Sequence, residues 1–328
     1  MKWIEKAKAT LKSSETDDWL DVKVVRPLAY LCALGFAKLG IHPNSVTILS
    51  MIIGASSCVF FASGSYFYDG IEGLIVNVVA IILLLWADVY DCADGQLARM
   101  TGKTSRLGRI LDGAAGFVWF VPIYLAFVYR FYYNHSIEFG WLGINDTPEN
   151  TLIATAVVFV LSLLSGFYGI SGQQRVADYY IQAHLFFLKG EKGSELDTSA
   201  RQQQILDEMP ADEKLVYKLF QKNYVGYTLA QEKKTPQFQA LMAKLRERYG
   251  SSDNIPSDFR RKFHDFSLPV IKLNGLLTFN FRTFWLILFC LLDVPALYFV
   301  FEVVAMSLLC EYIVHRHETF CKRLADEL

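Results

Sequence analysis

Long apolar runs alternate with short polar joins along most of the chain. Six of these runs are long enough to cross a bilayer as helices, near residues 46–64, 71–93, 110–131, 151–171, 270–292 and 294–314. Charge alternates across the joins. Lys23, Arg26 and Lys38 precede the first run, whereas Asp69 and Glu72 are the charges between the first and second. Arg99, Lys103, Arg106 and Arg109 follow the second run. The third join holds no Lys or Arg beyond Arg130, the join between fifth and sixth holds Asp293, and Arg316, Lys322 and Arg323 follow the sixth run. An excess of basic residues on one side predicts that both termini lie in the cytosol.

Two segments break the apolar pattern. Trp19 to Ile41 mixes apolar residues with Lys23, Arg26 and Lys38 and stops at His42-Pro43-Asn44, which predicts a helix lying along the membrane surface. Residues 172–268 are polar, rich in Gln, Lys and Glu, and punctuated by Gly190, Pro210, Pro236, Gly250 and Pro256. They predict a cytosolic helical insertion and not a seventh span. The expected fold is therefore all-α, a polytopic membrane protein of six transmembrane helices with an N-terminal interfacial helix and this insertion. Its expected parts are a cytosolic N-terminus and interfacial helix (1–45), helices one to four (46–171), the insertion (172–268), and helices five and six with a cytosolic tail (269–328).

Composition agrees: 53% of the 328 residues are hydrophobic and 20% charged, apolar for a soluble domain. A net charge of −1 gives no support for a nucleic-acid partner. The cysteines form no CxxC pair and lie in or beside apolar runs, so they read as small buried hydrophobes, not as a disulfide framework. The first residues are too charged for a secretory signal. Asn134-His-Ser and Asn145-Asp-Thr would be glycosylation acceptors only if their loop faced a secretory lumen.

Chemistry concentrates at the end of the second run, IILLLWADVYDCADGQLARM. Asp88, Asp91 and Asp94 stand three residues apart, so they neighbour one another along one side of a helix with a drift of about 60° per step. Carboxylates in an apolar helix cost a few kcal/mol at the bilayer centre and less near the interface, so they need compensation. Asp112 opens the third run across a short polar turn. Several carboxylates around one locus repel unless cations intervene, and an all-oxygen set suits Mg²⁺, Mn²⁺ or Ca²⁺ better than zinc. Gly102-Lys103-Thr104 resembles the end of a phosphate-binding loop, but Gly95 stands too far ahead of it and no strand leads in.

The pattern Asp91-x2-Asp94-Gly95-x2-Ala98-Arg99-x8-Gly108-x3-Asp112 resembles the signature of the CDP-alcohol phosphotransferase family. Pro43-Asn44-x2-Thr47 and the count of spans are also similar, and the resemblance covers roughly residues 20–171 and 270–315. It implies that Asp91, Asp94 and Asp112 hold two divalent ions, Mg²⁺ or Mn²⁺, which clamp a donor diphosphate. It further implies that Gly95 and Gly108 admit the cytidine, that Ala98 belongs to the same site, and that Arg99 neutralises phosphate. The implied activity is transfer of a phosphoalcohol from a CDP-linked lipid or alcohol to a polyol, polyol-phosphate or lipid acceptor with release of CMP, in phospholipid or sphingolipid head-group synthesis. Homodimerisation is implied by the resemblance alone. The fifth and sixth runs are similar to those of bacterial inner-membrane members, including a phosphoinositol-lipid kind.

The signature's last aspartate, four residues after Asp112, is Gly116 here. Asp88 is the candidate replacement as catalytic base beside Asp112. In antiparallel helices it stands about one turn, 4.5 Å, deeper than Asp91, as position 116 does relative to Asp112. The rival reading is a catalytically silent CDP-lipid or metal-binding scaffold. Arg282, a cation within the fifth run, and Arg175, at the end of the fourth, are candidates for an acceptor that carries its own phosphate. The histidines His184, His264, His315 and His317 read as surface groups.

Overall fold

A computed structural model describes residues 21–328. Among these residues the regular structure is helical throughout, and the six expected spans are present. The long apolar helical runs cover Pro43–Ser63, Tyr66–Thr101, Leu107–Tyr133, Pro148–Lys189, Ser257–Leu291 and Ala296–Asp326. Less than half of each is buried within the protein. Residues such as Ile52, Val59, Ile82 and Leu152 point outward, as lipid-facing side chains do.

The chain divides into two compact units. The first holds the described residues to Ile170 together with Asn280–Val304; the second holds Ser171–Phe279 and Ala305–Leu328.

In the first unit, a π-helical turn at Asp21–Val25 leads into α1 (Arg26–Lys38). Of the surface helix expected over Trp19–Ile41, Trp19 and Leu20 lie outside the described residues. The spans α2 (Pro43–Ser63), α3 (Tyr66–Thr101) and α4 (Arg106–Tyr133) follow. Then come a short helix α5 (Ser136–Leu142), α6 (Pro148–Leu164), α12 (Phe279–Leu291) and α13 (Ala296–Val300).

The start of α3 shows why the apolar run begins where it does. Ser65 caps the helix by accepting from Tyr68 N, and Gly70 then takes φ 60°, a conformation only glycine adopts cheaply, so the continuous span starts at Ile71. At its other end α3 continues beyond the expected 93 to Thr101. Small residues let α1 approach α3 closely: Ala29 and Ala33 pack against Val89, Ala93 and Leu97. Trp119 Nε1 donates to Ser50 O at 3.1 Å and fixes the rotation of α4 against α2.

At the end of the bundle where α3 begins, Arg130 is 1% exposed and braces several elements. It pairs with Asp293, donates to Asn77 Oδ1 at 3.0 Å, and reaches Phe61 O at 3.5 Å. Asp293, at φ 63°, also accepts from Phe67 N, so one loop carboxylate ties the α12–α13 turn to the start of α3. A lone cation at the edge of a run thus serves as a structural tie.

Glu138 in α5 lies nearby, 4% exposed, with neither carboxylate oxygen hydrogen-bonded. Burial is the main reason its carboxyl is pushed up to about 7; its own backbone N–H, Arg130 and His135 oppose the rise, while Asp293 adds to it. An acid that holds its proton more tightly when folded loses stability as pH rises from about 4.5 to about 7, and carries the full penalty above that. Glu138→Gln is therefore expected to raise the melting temperature at pH 8, by removing a penalty on the order of 3 kcal/mol or less, and to change it little at pH 4. Thermal unfolding of the purified protein at both pH values checks this; equal destabilisation at both would sink it.

The second unit contains α7 (Gln174–Lys189), α8 (Ser199–Asp207), α9 (Leu215–Lys234), α10 (Pro236–Tyr249), α11 (Ser257–Asn274) and α14 (Ser307–Asp326). Its core is aromatic, with Phe187 stacked on Phe263 and Tyr180 stacked on His317. His184 and His317 are each 1% exposed, which corrects the expectation of surface histidines. Stacking on Tyr180 and a hydrogen bond to Ser267 satisfy these rings inside the protein.

Three of the apolar runs are not uniform α-helices. The fourth passes through a π-helical segment at Ser165–Gln173, the sixth through another at Phe301–Met306, and the fifth is broken by a 3₁₀ turn at Gly275–Leu277.

Candidate active site

The last turns of α3, the first turns of α4 and the start of α2 assemble the predicted site. Asp91 lies within electrostatic reach of Asp88, Asp94 and Asp112, and Asp94 within reach of Asp112 and Arg99. The expected carboxylates are therefore brought to one place, three from one helix and one from its antiparallel neighbour. Asp94 is 5% exposed and Asp112 exposed, so the cluster runs from the packed helices to an open edge.

Family-like residues at the start of α2 hold this arrangement. Pro43 occupies the first helical position, where its missing N–H costs nothing, and His42 Nδ1 caps the helix. Thr47 Oγ1 donates to Asp94 Oδ2, fixing that carboxylate's rotamer. Asn44 Oδ1 accepts from Ser105 Oγ at 3.1 Å, and Ser105 caps α4 by accepting from Gly108 N at 2.9 Å. A Cβ at Gly108 would stand 2.9 Å from Asn44 Oδ1, so glycine is needed for this three-way contact. Gly95 differs. A Cβ there would meet only the Arg99 guanidinium at 3.4 Å, an ordinary contact, so protein packing does not demand glycine at that position.

The residues fit divalent cations. Asp91 Oδ1 is buried and has no hydrogen-bond partner, an arrangement that costs several kcal/mol for a charged oxygen left unanswered. The donors around it are carboxylates, the hard oxygen set that Mg²⁺ and Mn²⁺ prefer.

Residues 40–161 match the family model described as CDP-alcohol phosphatidyltransferase. The match covers α2, α3, α4 and most of α6, and so contains every residue of the aspartate cluster. Two curated relatives also match the chain. The chain is 26% identical over 118 residues to the inner membrane protein YnjF of Escherichia coli and 34% identical over 90 residues to the archaetidylinositol phosphate synthase of Pyrococcus horikoshii. These matches cover 36% and 27% of the chain, and 52% and 42% of the relatives. The chain thus spans about half the length of the curated relatives it matches. No solved structure matches it.

The remaining candidates stand in other surroundings. Gly116, one turn beyond Asp112, is half-buried, and a Cβ added there would meet nothing within 4 Å. Asp88 is half-buried and within reach of Asp21, which accepts from Asn280 Nδ2 at 2.8 Å. Ala98 is half-buried in the last turns of α3. Arg282, 1% exposed in the first turn of α12, pairs with Glu302, which also accepts from Tyr124 Oη at 2.6 Å. Glu302 is the partner that sequence reasoning missed. Its signal was available, since Arg282 and Glu302 are opposite charges placed in two adjacent apolar runs. Arg175, in the second unit, donates to Ser171 Oγ at 2.8 Å and lies over the Tyr227 ring at 5.0 Å.

His317, Glu318 and Cys321 also bring ligand-type atoms within 4.8 Å of one another. Glu318 is already engaged by Gln237 N at 2.6 Å and Phe238 N at 3.4 Å, and Cys321 by His317 at 3.5 Å. This trio reads as a satisfied helix junction.

Proposed function

We propose that the protein transfers a substituted phosphate from a CDP-linked donor to an acceptor hydroxyl, releasing CMP, with Asp91, Asp94 and Asp112 as the ligands of divalent metal. The observation that carries this reading is the buried, unpartnered Oδ1 of Asp91 among three further carboxylates, inside the segment that matches the family. Divalent ions bound there would supply positive charge to the diphosphate and to the charge that develops as the phosphoryl bond to CMP breaks. Arg99, beside Asp94, adds a cation toward the same phosphates. Beside Gly95 the one protein group within 4 Å of a Cβ would be the Arg99 guanidinium, which suits a nucleotide phosphate lying against α3.

The acceptor hydroxyl attacks the phosphorus, and its proton must pass to a base. With Gly116 in place of the family's aspartate, Asp88 is the carboxylate in this reading that takes it, one turn deeper on the facing helix. The likeness to an archaetidylinositol phosphate synthase favours a phosphorylated polyol as acceptor. Arg282 would bind such a phosphate by exchanging the partner it already holds. The orientation proposed, with both termini cytosolic, follows from the basic joins.

The test is release of CMP from purified protein given CDP-diacylglycerol with Mg²⁺ or Mn²⁺, with inositol phosphate, glycerol phosphate or inositol as acceptor. The proposal expects acceptor-dependent CMP. Donor binding without release under every condition would replace it with the scaffold reading, which Gly116 favours.

A further inference from the structure

α9 turns glutamines inward and leucines outward. On its packed side Gln221, Thr228 and Gln231 are 7%, 2% and 5% exposed, set among the half-buried rings of Tyr217, Phe220, Tyr224 and Tyr227. Gln221 Nε2 donates to Gln202 Oε1 at 2.7 Å, and Gln231 Nε2 donates to Arg175 O at 3.1 Å. The opposite side is apolar and open, with Leu215 at 69%, Leu219 at 56% and Leu229 at 40% exposure. A helix in water buries its leucines and exposes its glutamines. A row of open leucines along one side of a helix marks an interaction surface.

Charge on that face narrows the choice. At 100° per residue, Lys218, Lys222 and Lys233 interleave with the leucines. The helix's one acid, Glu232, points elsewhere and accepts from Ser199 N at 2.9 Å. Leucines flanked by lysines and free of carboxylate are the pattern of a helix seated in a lipid head-group layer, with the long lysine chains reaching back to phosphates. A second copy fits poorly, because a two-fold contact through this face would set the lysines against their own copies. The helix is also tethered where two apolar runs turn polar. Gln231 holds Arg175 after the fourth run, and Lys234 Nζ pairs with Glu311 of the sixth at 2.5 Å.

We propose that the Leu215–Leu229 face of α9 docks on the surface of an anionic bilayer, its leucines at the acyl boundary and its lysines on head-group phosphates. The test places the photo-reactive residue p-benzoylphenylalanine at Leu219 in the full chain, in nanodiscs of phosphatidylcholine with or without phosphatidylglycerol. The same probe at Leu229 repeats the measurement, so a folding failure at one site decides nothing alone. Glu247, exposed on α10, is the control position. Lipid adducts at Leu219 and Leu229 are expected to exceed those at Glu247 by at least about fivefold in the anionic discs. The excess is expected to shrink when Lys218, Lys222 and Lys233 are replaced by Gln or when phosphatidylglycerol is omitted. Crosslinks chiefly to a second copy, yields equal to the control, or adducts indifferent to both lipid charge and lysines would overturn the proposal.

Discussion

Alanine at Asp91, Asp94 or Asp112 is expected to remove at least about 100-fold of CMP release, the scale of losing a few kcal/mol of charge stabilisation. The three variants should differ in stability. Asp91 Oδ1 makes no hydrogen bond within the protein, so its loss leaves packing intact and relieves repulsion from the neighbouring carboxylates. Asp94 also orders Thr47 at the start of α2, so its loss should loosen the α2–α3 contact as well. Asp91→Ala is thus the cleanest variant, inactive yet at least as heat-stable as the parent when metal is absent. Activity that persists in chelator, or an Asp91→Ala rate near the parent's, would remove the metal-site reading.

The second large effect concerns the missing aspartate. If Asp88 takes the acceptor's proton, Asp88→Asn is expected to cost about 100 to 10,000-fold in turnover, the usual worth of a positioned general base, while metal-dependent binding of the CDP donor persists. The space beside Gly116 makes the reciprocal experiment possible. Since a Cβ there meets nothing within 4 Å, Gly116→Asp should fold without displacing a neighbour and restore part of the rate in the Asp88→Asn background. Near-normal turnover by Asp88→Asn would dismiss the role. So would Gly116→Asp alone lifting a negligible activity to a robust one, which would mark the natural chain as attenuated.

The outline of this molecule was legible because membrane spans are written in composition. Apolar length sets the six runs, and His42-Pro43 marks the break before the first by the backbone groups those residues cap or lack. The aspartates were legible for the opposite reason, since charge in an apolar helix demands an explanation. What hydropathy does not carry is the choice between i→i−4 and i→i−5 bonding. The π-helical stretches at Ser165–Gln173 and Phe301–Met306 therefore read as plain helix. Partners across the fold were also hidden. Arg130 looked like an edge residue and Arg282 like a ligand contact until Asp293 and Glu302 were seen beside them. The polar insertion concealed α9, whose leucines and lysines average to an unremarkable sequence until its buried glutamines show which way it faces.

The brace around Arg130 has a mechanical consequence for the distant site. Asn77, which Arg130 holds, and Asp94 stand 17 residues apart on α3, a lever of about 26 Å. A tilt of about 5° about that end, shared by α1 and the start of α2, which hold the far turns of α3, would carry Asp94 by about 2 Å while barely disturbing the brace. In the proposed reaction, ångström adjustments of the aspartates to a diphosphate would then take the form of rotation of a stiff rod, without rebuilding any helix.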